Sequence, residues 1–133
     1  MKKYTFQCDK LTRDKEPERL KEMGIEVETR ILSSDEMVSY LKKKLHEEVL
    51  EAVEAPNQQD IVNELIDIID AVHTLRHTLG MTEEEFHHLA QEKKKLKGEY
   101  TKGVCLCTVT LSEDHPRYMH YKSHPEKYPV KEV

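Results

Sequence analysis

Glu48 and Glu51, followed by Glu64 and Asp67, form two acidic pairs, each spaced by three positions and separated by twelve intervening residues. Residues three apart share one face of a helix, so each pair turns its carboxylates the same way. Glu47 stands directly before the first pair, and Pro56 lies between the two pairs. A connection of a few residues around Pro56 makes the carrier helices antiparallel neighbours. The pairs lie at similar distances from that turn, so four carboxylates can face one another across a helix pair. Such a group repels itself unless a cation compensates it. An all-oxygen set without His or Cys selects hard Mg²⁺, with Mn²⁺ as a substitute, over zinc. Mg²⁺ keeps several waters and works alongside substrate phosphates, which points to phosphate-ester or phosphoanhydride chemistry. The same residues also suit a solvated helix face with lysine partners, and spacing alone leaves both readings open.

The elements that must position these acids are legible. Ser33 followed by Glu36 is a capping box and predicts a long helix from about Asp35, carrying Val38, Leu41, Leu45, Ala52 and Val53 and ending by Pro56. Asn57 is a good N-cap for a second long helix that Gly80 closes. Its apolar positions Ile61, Leu65, Ile68, Val72, Leu75 and Leu79 step alternately by four and three, and Val62, Ile66 and Ile69 widen the stripe. So broad an apolar face must be buried against several partners, as in a bundle or dimer core. Glu64 lies about 60° from the centre of that stripe, at its edge. Thr82 and Glu85 form another capping box, opening a helix to about Lys97 with Gly98 as its stop. Upstream, Pro17 starts a short helix that Gly24 ends. Ile25, Val27, Thr29 and Ile31 alternate as a short strand or extended arm, and Val104, Leu106, Val109 and Leu111 suggest one short strand.

The chain has 133 residues, enough for one domain with a modest core, and only 4 Gly and 5 Pro, which favours long helices. A net charge of −5 argues against binding a nucleic-acid polymer, which needs a basic footprint. No stretch approaches the roughly 20 apolar residues of a membrane span, and the basic N-terminus lacks the apolar run of a secretory signal. Three cysteines, Cys8, Cys105 and Cys107, fit reduced thiols in a cytoplasmic setting better than a disulfide framework. From Ser112 the sequence becomes a polar tail with two loosely similar turns, His115-Pro116-Arg117-Tyr118 and His124-Pro125-Glu126-Lys127-Tyr128. The expected organisation is a helical domain over 1–111 and a tail over 112–133. Asp70 and His73 lack the second Glu-x-x-His motif that a di-iron bundle requires.

Glu47-Glu48-x-x-Glu51, then Glu64-x-x-Asp67, resembles the metal-binding signature of the all-α NTP pyrophosphohydrolases, the MazG-like superfamily. Lys10-Leu11-Thr12-Arg13-Asp14-Lys15-Glu16-Pro17 is similar to the opening of its phosphoribosyl-ATP pyrophosphohydrolase-like stand-alone branch, and the Lys-rich stretch from Glu92 to Tyr100 is similar to that branch's ending. The resemblance spans about residues 8 to 107. It departs at Lys97-Gly98-Glu99-Tyr100, where an acid replaces a glycine.

The resemblance implies an all-α bundle of about four helices working as a homodimer or dimer of dimers. Mg²⁺ would be held by Glu48, Glu51, Glu64 and Asp67, and a nucleotide would be cut between its α and β phosphates to a monophosphate and pyrophosphate. Glu47 or Glu48 would accept the proton of the attacking water. Arg13, Lys15, Lys93 and Lys94 are candidate phosphate contacts, and Tyr100 a candidate for stacking on a base. The alternative is a non-catalytic helical module for nucleotide binding, dimerisation or regulation.

Overall fold

The computed structural model describes residues 1–130. Among these residues the regular structure is entirely helical: α1 (Glu16–Glu22), α2 (Ser34–Glu54), α3 (Gln58–Thr78), α4 (Glu83–Lys97) and α5 (Tyr118–Lys122). No described helix is long and apolar enough to cross a membrane.

Local chemistry sets the helix ends. The Ser33 hydroxyl accepts from the Glu36 amide at 3.2 Å, and the Glu36 carboxylate accepts from the Ser33 amide at 3.1 Å. Arg30 adds a two-nitrogen grip on the same carboxylate at 3.1 and 2.9 Å. This guanidinium and the Ser33 amide hold Glu36 down to about 2. Asn57 caps α3 through the Asp60 amide at 2.9 Å, and Thr82 and Glu85 form the reciprocal box at the start of α4. Gly80, at φ 79°, takes the left-handed turn that ends α3, a conformation that strains any residue with a Cβ.

The chain divides into two compact units, Met1–Lys97 and Gly98–Val133. In the first, α2 and α3 form a hairpin about Pro56, and α4 packs on α3. Leu41 and Ala71, each fifteen residues from Pro56, are its buried apolar residues. Glu48 and Glu64 stand eight residues from Pro56 on either side, two turns nearer the hairpin loop. Before α1, the segment holding Lys10 to Arg13 is non-helical. In the second unit, α5 lies between the two His-Pro turns. Tyr121 and Tyr128 meet edge-to-face at 4.9 Å between ring centroids, with His120 at 5.7 Å from Tyr128. The region expected to be an irregular tail therefore contains one short helix and an aromatic cluster. Residues 131–133 of that tail lie outside the described residues.

One expectation needs correction. The alternating segment 104–111 takes no regular structure and is not a strand. Alternation fixes which side chains share a face, whereas a strand also needs a backbone edge to bond to. Residues 25–31 likewise take no regular structure. The apolar stripe of α3 is covered only in part by this chain's own helices. The face covered within the chain runs through Glu64, Ile68, Ala71 and Leu75, one position round from the expected centre. Ile61, Leu65 and Leu79 are exposed instead, as are Val62, Ile66 and Ile69.

Candidate metal centre

The rotation of α3 brings Glu64 inside. Glu48, on the facing side of α2, is only 4% exposed, the one buried polar residue among those described. Carboxylate oxygens of Glu48, Glu51 and Glu64 lie within 4.8 Å of one another. Two of them, Glu48 Oε2 and Glu64 Oε2, are buried with no hydrogen-bond partner. A buried carboxylate oxygen without a donor carries a desolvation cost that a proton or a cation must offset.

Part of the negative charge is met by Lys44, four residues before Glu48 on the same helix, whose Nζ lies 3.0 Å from Glu48 Oε1. Burial raises the Glu48 carboxyl. Hydrogen bonds with Glu64 and Lys44, and the lysine's charge, more than offset this and hold it below its ordinary range. Glu64 goes the other way. Sharing hydrogen bonds with Glu48, then burial, then the presence of Glu51, push it up to about 7. Glu51 is also raised, by burial and by the charge of Glu48. The three carboxyls thus shift in opposite senses, Glu48 down and Glu51 and Glu64 up, as like charges held close together do.

The fourth acid of the expected quartet is engaged differently. Asp67 Oδ1 accepts from Arg13 Nη2 at 2.6 Å, and the same nitrogen lies 2.8 Å from Asp70. Glu47 is paired too, with Lys10 at 2.8 Å and Lys44 at 3.5 Å. The segment carrying Lys10 and Arg13 is further tied down where Tyr40 donates to Asp9 at 2.8 Å. Asp9 sits at φ 43°, a left-handed conformation that Asp tolerates better than most residues.

The structure therefore gathers Glu48, Glu51 and Glu64 and lays Arg13 against Asp67. Lys15 stands at the start of α1, and Lys93 and Lys94 are exposed on α4. Tyr100 belongs to the second unit and is fully exposed. Two residues at the site were missed in the sequence. Lys44 is one, although its four-residue spacing to Glu48 was an available signal. Lys10 is the other: it opens the Lys10–Pro17 motif, but nothing in the sequence signalled its pairing with Glu47, 37 positions away. Cys105 and Cys107 are free and exposed, their sulfurs 4.0 Å apart.

No protein-family model matches this chain, and no curated protein or solved structure matches it either.

Proposed function

We propose that this chain is a Mg²⁺-dependent nucleotide pyrophosphohydrolase that cuts the α–β phosphoanhydride of a nucleoside triphosphate or of phosphoribosyl-ATP. The single observation that carries the reading is the pair of buried carboxylate oxygens without a hydrogen-bond partner, Glu48 Oε2 and Glu64 Oε2, in a trio of acids that offers oxygens within 4.8 Å of one another. A merely solvated acidic face would keep those oxygens in water. An oxygen-only donor set fits a hard divalent ion, and Mg²⁺ or Mn²⁺ is the expected choice.

Glu48, Glu51 and Glu64 are the residues to hold the ion, with Asp67 as the fourth acid once released from Arg13. Bound there, the ion supplies positive charge against phosphate oxygens and acidity to water. The protein's own part is to place that charge and to receive protons. Glu47, half-buried and paired with Lys10 and Lys44, or Glu48 would accept the proton of the attacking water. Glu64 and then Lys44 hold Glu48 below its ordinary range, which favours the ionised form a ligand needs. Arg13 adds a planar cation suited to phosphoryl oxygens.

The assembly we propose is a homodimer or dimer of dimers. Ile66 and Ile69 of α3 are each 55% exposed, and Val53 of α2 is 76% exposed. Val49, Leu50, Val62 and Leu65 are also uncovered in the single chain. A second subunit packed here would take these apolar side chains out of water, which supports the reading. The proposed setting is cytoplasmic.

The deciding experiment is a Mg²⁺-dependent screen of nucleoside triphosphates and phosphoribosyl-ATP for pyrophosphate release, with Glu48→Gln and Glu64→Gln as controls. Turnover of at least one substrate, lost in both variants, is the expected result. No turnover of any of them, or activity surviving both substitutions, would overturn the reading.

A further inference from the structure

The N-terminal segment brings two cations, three positions apart, onto the acids that border the trio. Lys10 Nζ lies 2.8 Å from Glu47 on α2, while Arg13 Nη2 lies 2.6 Å from Asp67 and 2.8 Å from Asp70 on α3. One short stretch thus spans both arms of the hairpin at the level of the carboxylates. The two sides of these pairs differ in backbone setting and exposure. Glu47, Asp67 and Asp70 are fixed on helices, whereas Lys10 and Arg13 belong to a non-helical segment and are half exposed. Exposed ion pairs are weak and easily exchanged. Asp67 Oδ1, already accepting from Arg13, cannot offer that oxygen to a divalent ion without drawing the ion close to the guanidinium's like charge.

We infer that Lys10 and Arg13 form an exchange clamp: they neutralise Glu47, Asp67 and Asp70 until a divalent ion takes Asp67, and then turn to the phosphates of the incoming nucleotide. Lys10 thereby becomes a phosphate-binding residue alongside Arg13. The inference rests on the proposed metal reading. Two consequences run in opposite directions. Removing Arg13 removes a competitor for Asp67, so the metal alone binds more tightly. Removing either cation takes away a phosphate contact, so a phosphate ligand binds more weakly. A purely structural strap predicts no such opposition.

The test uses the full chain with Mn²⁺ as probe, followed by inorganic pyrophosphate added to the Mn²⁺-loaded protein, both by calorimetric titration. Arg13→Gln is expected to tighten Mn²⁺ at least 3-fold and to weaken pyrophosphate about 10-fold or more, and Lys10→Gln to weaken pyrophosphate similarly (the thresholds following the roughly tenfold change per 1.4 kcal/mol). Arg19→Gln, which breaks the comparable exposed pair with Glu16 on α1, is the control and should change neither. A second readout needs no variant: tryptic cleavage of the wild-type chain after Lys10 and Arg13 should accelerate on adding Mn²⁺ and slow again with pyrophosphate. Wild-type Mn²⁺ binding with unchanged or weaker binding in Arg13→Gln, or cleavage indifferent to Mn²⁺, overturns the clamp alone. Failure of the wild-type chain to bind Mn²⁺ overturns the metal reading and the clamp with it.

Discussion

Glu48 and Glu64 meet across the α2–α3 hairpin at equal distances from Pro56, and each keeps one buried carboxylate oxygen without a donor. Their titration is split: Glu48 is held below its ordinary range and Glu64 is raised to about 7. One proton is thus retained near neutral pH where two carboxylates cannot comfortably both ionise.

That proton makes stability depend on pH. Between the ordinary glutamate value and about 7, the folded chain holds a proton on Glu64 that the unfolded chain has lost. Stability therefore falls as pH rises from about 4.5 towards 7 and levels off above, the reverse of the usual salt-bridged carboxylate. Thermal melts in the presence of a chelator should show this decline in the wild type and a flatter profile in Glu64→Gln. Identical profiles for the two proteins would falsify the assignment.

The same group couples metal binding to protons. Mg²⁺ needs Glu64 ionised, so binding should strengthen from pH 6 to pH 8 and release a proton on the acidic side. Saturating Mg²⁺ at about 100 times its dissociation constant should stabilise the fold by about 2.7 kcal/mol, on the order of 10 °C in Tm. Differential scanning calorimetry with and without Mg²⁺ measures this directly. Glu48→Gln should remove the shift, and a full shift in that variant would count against Glu48 as a ligand.

The uncovered apolar stripe gives a prediction about assembly. Ile66 and Ile69 lie on the side of α3 away from Glu64, so a charge there should spare the carboxylates. Sedimentation velocity should find the wild type as a dimer or tetramer and Ile66→Lys shifted towards monomer. A monomeric wild type would remove the argument from exposed surface.

The start of α2 offers a structural control. Ser33→Ala removes one half of the capping box and should cost about 1 kcal/mol by denaturant unfolding. Ser33 lies about four turns from Glu48, so Mn²⁺ affinity should stay within twofold of wild type. A large loss of affinity would show that the acids depend on the helix start more than their packing suggests.

The helices themselves were legible because their signals are local. Ser33 with Glu36, Asn57 with Asp60, and Thr82 with Glu85 are side-chain-to-backbone bonds over three residues, and the predicted ends agree with α2, α3 and α4 to within a residue or two. The segment 104–111 was misread for the complementary reason: its alternation is local, but a strand is completed only by a distant edge.

For the acidic site, the sequence by itself determined which carboxylates share a helix face and that a short turn at Pro56 sets them opposite one another, since both follow from helical period and loop length. Only the tertiary structure decided how α3 is rolled against α2. That roll carries Glu64 from the edge of the apolar stripe into the covered face, leaves Ile61 and Leu65 outside, and strips two oxygens of water. It also decided that Lys10 and Arg13 come to rest on Glu47 and Asp67, 37 and 54 positions away. Pairings of that range are set by how packed elements meet in space, and no spacing rule along the chain encodes them.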